Sequence, residues 1–398
     1  MKKILSILAI AVVAVAVIII QLGRQQHTNA VDLSPLFHDV KVAVLMPLTG
    51  PQAGIGRGCA NSVKLAFDRA KQELAAKHVR VQLVMLDDGS KPETAVAAAQ
   101  RVTSDAEFVL SVAHFNSPCA LATVDIFHES GMPMIVPAAV NSGITAKGYP
   151  EVFRSCNTDV QQAVYMAQFL LETKQVERIY AIHDSSAFGK GLIDALGNEL
   201  AKQGRAFSGQ DAFKTGDVDF SAVVTRAQAA SPDIIVLGCM AGEGALLRRQ
   251  MAEKRVSVPV VGFSGIFYDT FLKNAGDAAE GTMTIFPLPP LEEIPGGKAY
   301  QDAYTAAGFE EPYESAGPFG YVAGQVAAAA LAGSDISRAG LVQTLHSSTF
   351  ETAFGPLMFA ENGEMNLKMF CFYTVKDGRW VPTHNVNENG TIVPVVNP

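Results

Sequence analysis

From Val42 onward, short apolar runs suited to buried strands alternate with longer helical stretches, and the alternation runs through once and then starts again. Such a chain needs a parallel sheet covered by helices on both faces, because parallel strands are joined by crossovers that lie over the sheet. In the first set the strands are expected at Val42–Met46, Val81–Leu86, Phe108–Ala113 and Met134–Val136, with helices at Gly58–Ala75, Glu93–Ser104 and Cys119–Glu129. After Arg154 the second set has strands at Arg178–Ile182, Asp233–Leu237, Val258–Val261 and Thr282–Phe286, with helices at Gly189–Gln203, Phe220–Ala229 and Gly244–Glu253. The fold class is therefore α/β with two doubly wound lobes, which a length of 398 residues accommodates as two domains.

Helices then return at Lys298–Ala307, Gly320–Leu331 and Ile336–His346. They are followed by the strand-like runs Phe354–Phe359 and Met369–Val375, with turns at Asn362-Gly363 and Asp377-Gly378. That order suits a chain that crosses back to cover the first lobe and ends on the second. The stretch after Trp380, rich in Asn, Val and Pro, reads as loosely ordered.

The amino terminus is of a different character. Lys2 and Lys3 precede an apolar run from Ile4 to Ile20, the plan of an export signal. The run is longer than the roughly 7–15 residues of a cleaved signal and slightly short of the ~20 that span a bilayer. Residues 1–30 therefore read as either a signal peptide or an uncleaved membrane anchor. Thr28-Asn29-Ala30 is a poor cleavage site, and no Cys before Cys59 offers a lipid attachment point. The folded part is expected in the periplasm or at the cell exterior, touching the membrane only through this segment.

Several function classes fall away. A net charge of −8, with no basic run beyond the first three residues, leaves no electrostatic footprint for nucleic acid. The eight His residues show no metal-ligand spacing, and no Ser/His/Asp set suggests catalysis. Gly54-Ile-Gly56-Arg-Gly58 is a weak match to a dinucleotide loop, since its spacing is not G-x-G-x-x-G and Pro47 and Pro51 precede it. Asp87-Asp88 reads as turn or cap carboxylates rather than an acid pair. No enzyme activity, metal or cofactor is expected. The five Cys form no disulfide framework; Cys119 with Cys156 is the one pair worth testing, although apolar neighbours favour buried thiols.

The best candidate site lies where strands end. Ser117 stands at an N-cap position and Pro118 at the first helical position, so a hydroxyl and free backbone N–H groups converge on a spot suited to a carboxylate. The plainer reading is that Ser117 only caps its helix. In the second lobe, Glu243 lies at a strand mouth where it either answers the helix dipole or takes an ammonium group. Phe188 sits at the neighbouring mouth as an apolar wall or a core residue.

Taken in order, Leu48-Thr-Gly50-Pro51, Leu86-Asp-Asp88, Pro137-Ala-Ala139, Ala146-Lys-Gly148-Tyr149 with Phe153-Arg154, His183-Asp184 with Phe188-Gly189-Lys-Gly191, Asp219-Phe220-Ser221 and Gly355-Pro356-Leu357 carry a resemblance. From about Val40 to Trp380 the chain resembles the periplasmic binding proteins of branched-chain amino-acid ABC importers, the leucine/isoleucine/valine-binding type. The resemblance implies two Rossmann-like lobes joined by three crossovers, closing on a small ligand like a Venus flytrap and delivering it to a permease. It assigns residues 40–154 and 289–352 to the amino-terminal lobe, 155–288 and 353–381 to the carboxy-terminal lobe, and 382–398 to a tail.

It also implies roles: Ser117 for an α-carboxylate, the Ala138 carbonyl for an ammonium group, Glu243 as its counter-charge and Phe188 where an aromatic is typical. Departures accompany these. Val140 stands where a threonine is usual and keeps only its backbone N–H. Asn116 and Ser90 replace a cysteine pair found in some members. Ile55 and Met240 imply a differently shaped side-chain pocket, and Arg57 is placed to reach an acidic tail. An amino acid or a relative of one is the expected ligand. Amides, urea and aromatic or dicarboxylic acids are the alternatives, as is a membrane-anchored sensory role for the same module.

Overall fold

The computed structural model describes residues 37–313 and 316–395. Both readings of residues 1–30 lie outside them. In the amino-terminal part, β1 (His38–Met46), α1 (Ala53–Ala76), β2 (Val79–Asp87), α2 (Pro92–Thr103), β3 (Phe108–Ala113), α3 (Ser117–Glu129), β4 (Met134–Val136) and β5 (Val152–Arg154) follow one another. Their five strands form one parallel sheet in the order β2-β1-β3-β4-β5. All six residues of β3 are buried, which is why this strand is a continuous apolar run rather than an alternating one.

The second part runs through α4 (Asp159–Gln168), β6 (Ile179–His183), α5 (Gly189–Lys202), β7 (Gly209–Ala212), α6 (Ser221–Ala229), β8 (Ile234–Gly238), α7 (Ala241–Glu253), β9 (Val260–Gly262), α8 (Asp269–Ala275) and β10 (Met283–Phe286). The chain then returns to the first sheet with α9 (Gly297–Ala307), α10 (Gly317–Gly333) and α11 (Arg338–Ser347), and forms a small hairpin of β11 (Phe350–Thr352) and β12 (Gly355–Leu357). It ends on the second sheet with β13 (Cys371–Lys376), β14 (Arg379–Val386) and β15 (Ile392–Pro394), completing the order β15-β14-β13-β10-β9-β8-β6-β7. This is a two-lobed α/β architecture.

The return is held by close helix contact. Helix α10 is Ala- and Gly-rich because α1 lies directly against it: a Cβ on Gly320 would meet the Cys59 carbonyl at 2.5 Å, and one on Gly324 the Ala66 Cβ at 2.8 Å. Only small residues allow this approach.

Two expectations change, and a third, that of buried thiols, is met. Helix α1 begins at Ala53, so Gly54, Gly56 and Gly58 belong to its first turns and not to a phosphate-cradling loop. A Cβ on Gly56 would stand 1.9 Å from the Pro47 carbonyl, so that glycine serves packing against the end of β1. From residue 381 to 395 the chain is not loose: β14 pairs with β13 and β15 folds back on β14, through a turn in which the Asn387 side chain accepts from Asn389 N and Thr391 N. All five cysteines are free and buried, so Cys119 and Cys156 form no bridge.

Candidate functional site

Strand ends of both sheets face one another across a cavity of about 240 Å³. That is just under the ~300–1,000 Å³ of sites for drug-sized ligands, so it suits a smaller solute. Its position, outside the carboxyl ends of parallel strands, is where doubly wound sheets bind ligands. One wall comes from the loop after β3 and the start of α3, the facing wall from the loops after β6, β8 and β9.

At the first wall, β3 gives way to His114, Phe115 and Asn116 before α3 begins. The N-cap is Asn116, whose side chain does not cap, so Ser117 is the first helical residue and Pro118 the second. This moves the expected cap by one position, because Asn116 keeps extended backbone angles of φ −92° and ψ 131°. Ser117 Oγ accepts a hydrogen bond from Asn141 N at 3.3 Å, which leaves its own hydrogen for a ligand. The N–H groups of a first helical turn have no intrahelical partner and carry the positive end of the dipole. Together they favour an anion beside Ser117.

Behind this floor, His114 Nδ1 lies 2.8 Å from Asp88 Oδ2, both side chains fully buried. Asp88 Oδ1 accepts from Ser90 N at 2.9 Å, so the ends of β2 and β3 are fastened together. Asp87 accepts from Leu48 N, Thr49 N and Gly89 N, which makes it a turn carboxylate.

The loop after β4, which carries Ala138 and Val140, is fixed by Arg154. This fully buried guanidinium donates to the carbonyls of Ala139 (3.2 Å) and Asn141 (2.7 Å), to Thr145 Oγ1 (2.6 Å) and to the Glu364 carboxylate. Asn141 Nδ2 continues to the Ala187 carbonyl at 2.6 Å, joining this loop to the one before α5.

The facing wall is largely apolar, with Phe188, Met240 and Tyr268 on it, and Phe286 and Phe319 at the side. Phe115 and Tyr268 meet edge-on across the cavity with ring centroids 6.4 Å apart. Among the described residues the one carboxylate on the lining is Asp184, which is 2% exposed. Its Oδ1 accepts from Ser186 N (3.0 Å) and Ser186 Oγ (2.6 Å). Burial pushes the Asp184 carboxyl above its ordinary value against the pull of those bonds.

Of the residues singled out in the sequence, Asn116, Ser117, Ala138, Val140, Phe188 and Met240 line the cavity together. Glu243, Ile55 and Arg57 are not on its lining. Glu243 turns toward the loop after β7, where its Oε1 accepts from Gly216 N at 3.1 Å. Ile55 is packed in the core, and Arg57 is held by the Glu311 carboxylate and the Leu48 carbonyl. Sequence reasoning missed Gln52, Asp184, Ser264 and Tyr268. Ser264 follows β9 as Met240 follows β8, and that shared strand-end position was the available signal. Gln52 carried none. Among the described residues no group of three or more His, Cys, Asp or Glu is disposed to hold a metal ion.

A two-lobed α/β chain with an interlobe cavity at its strand ends defines a class of ligand-capturing proteins. The family model for periplasmic binding proteins matches residues 39–379, and the chain belongs to that family. Leu/Ile/Val-binding protein BraC3 of Rhizobium johnstonii is 31% identical over 353 residues, covering 87% of this chain and 95% of its own length. Leu/Ile/Val-binding protein homolog 3 of Brucella melitensis is 30% identical over 353 residues, covering 87% of this chain and 94% of its own. The leucine-binding protein LivK of Thermotoga maritima superposes with a TM-score of 0.80 at 25% identity, over 88% of this chain and 99% of the other. The chain is thus a periplasmic binding protein and not an enzyme, and its family is extracytoplasmic. No helix among the described residues is long and apolar enough to cross a membrane.

Proposed function

We propose that the chain captures a small carboxylate-bearing solute, an amino acid or a close relative of one, and delivers it to the permease of an ABC importer. The observation that carries this is Ser117: a buried hydroxyl with its hydrogen free, at the amino end of α3, opening on a cavity of about 240 Å³ whose far wall is aromatic. The carboxylate takes the Ser117 hydroxyl and the first-turn N–H groups, with the Val140 backbone N–H close by. The ammonium counter-charge falls to Asp184, the carboxylate on the lining, in place of Glu243. Val140 supplies no hydroxyl there, so the carboxylate contact rests more heavily on Ser117. The names of the relatives, which specify leucine, isoleucine and valine, support an amino acid as the first candidate.

A thermal-shift screen of protein unfolded and refolded to strip carried-over solute tests the reading. At about 100 times its Kd, a ligand adds ~2.7 kcal/mol of stability. Amino acids and simple carboxylates are expected to raise the melting temperature. A response confined to sugars or cations would refute the proposal.

A further inference from the structure

On the wall beside Ser117, two side-chain amides meet. Asn116 Nδ2 donates to Gln52 Oε1 at 2.6 Å, and Ser90 Oγ donates to the same oxygen at 2.8 Å. Asn116 and Ser90 are thus bridged by Gln52. All three residues line the cavity. The bridge leaves something over: Asn116 Oδ1 is buried and has no hydrogen-bond partner, and the Gln52 amide nitrogen is not used in the bridge.

Turning both amides around does not remove the surplus. Gln52 would then donate to Asn116 and Ser90, leaving the Asn116 nitrogen and the Gln52 oxygen unused. Either way the pair keeps one acceptor and one donor that the bridge does not use. A buried polar atom without a partner is costly, and a site built to bond a polar group rejects an analogue that lacks it.

We propose that Gln52 and Asn116 form an amide clamp that selects a solute bearing, a few bonds from its carboxylate, a neutral group that both donates and accepts a hydrogen bond, with a primary carboxamide the best match. The closeness of the two groups follows from Asn116 and Ser117 being consecutive. The inference rests on the reading of Ser117 as the carboxylate site. It deepens that reading by separating carboxamide solutes from the branched aliphatic ones for which the relatives are named.

The test uses two isosteric pairs: succinamate against 4-methylpentanoate, which lack an ammonium group, and asparagine against leucine, which carry one. Each is titrated calorimetrically into the stripped wild-type protein and into Asn116→Leu and Gln52→Met. The wild type is expected to bind the carboxamide member of at least one pair about tenfold or more tighter than its isobutyl partner. Both variants should lose that ratio or reverse it. Because the readout is a ratio on one protein, a variant that is merely less stable lowers both affinities and leaves the ratio alone. Isobutyl members bound as tightly as carboxamides by the wild type, or a ratio unchanged in both variants, would overturn the clamp while leaving the carboxylate site standing. Silence from all four solutes would overturn the carboxylate site and the clamp with it.

Discussion

Replacing Arg154 by methionine removes the group that ties the loop after β4 to the last crossover of the chain. In the wild type that side chain is fully buried and makes hydrogen bonds to Ala139, Asn141, Thr145 and Glu364, the last through both carboxylate oxygens. The Arg154 backbone also pairs with the crossover, accepting from Met365 N and donating to Gly363 O at 2.8 Å. Methionine fills much of the volume but leaves the Glu364 carboxylate without its cation, with only the Thr145 hydroxyl donating to it, and the Ala139 and Asn141 carbonyls with only Cys156 Sγ and Ile144 N. Breaking a buried ion pair from one side costs ~3–5 kcal/mol, a large share of the roughly 5–15 kcal/mol that holds a typical domain together. Glu364→Gln keeps an acceptor oxygen and should cost less, about 1–3 kcal/mol. In Arg154→Met with Glu364→Met, the second change removes the stranded charge, so the double variant should be no less stable than Arg154→Met alone. Urea unfolding followed by circular dichroism gives the cycle. A cost below about 1 kcal/mol for Arg154→Met, or simple additivity in the double variant, would refute the reasoning.

Other consequences can be checked independently. Gly54→Ala should stabilise by about 0.4–1 kcal/mol, since nothing lies within 4 Å of its added Cβ. Gly56→Ala should cost ~1–3 kcal/mol, since its Cβ would meet the Pro47 carbonyl; thermal melts separate the two. Asp184 keeps its proton in the folded protein to higher pH than in the unfolded chain, so its contribution to stability falls as pH rises from about 3.9 through its raised folded value. Asp184→Asn should therefore gain on the wild type between pH 4 and pH 7 in ~0.1 M salt; parallel curves would contradict the burial argument. Burial pushes the thiols of Cys59, Cys156 and Cys371 up to about 12, so alkylation at pH 8 should be slow until denaturant is added.

The sequence shows the buried strands well. Strands β3, β6 and β8 are wholly buried and therefore read as unbroken apolar runs. Edge strand β7, Gly-Gln-Asp-Ala with alternate residues exposed, gives no such signal, and β5 is three residues long. Strand β14 is half-buried along its length and carries Pro382, which disguised it as a tail. At the site, Ser117 is legible because a strand-to-helix junction with a proline marks where N–H groups gather. Whether Glu243 or Asp184 reaches the cavity depends on which loop turns inward. That is set by the order of strands across the sheet, which no local pattern carries.

The most direct test of the account is a crystal structure of the stripped protein in complex with the tightest-binding carboxylate, paired with the affinity of Ser117→Ala. The ligand carboxylate is expected between the lobes, within about 3 Å of Ser117 Oγ, with the variant binding at least tenfold more weakly. A carboxylate turned toward the Asp184 wall, or a Ser117→Ala variant that binds as the wild type does, would contradict it.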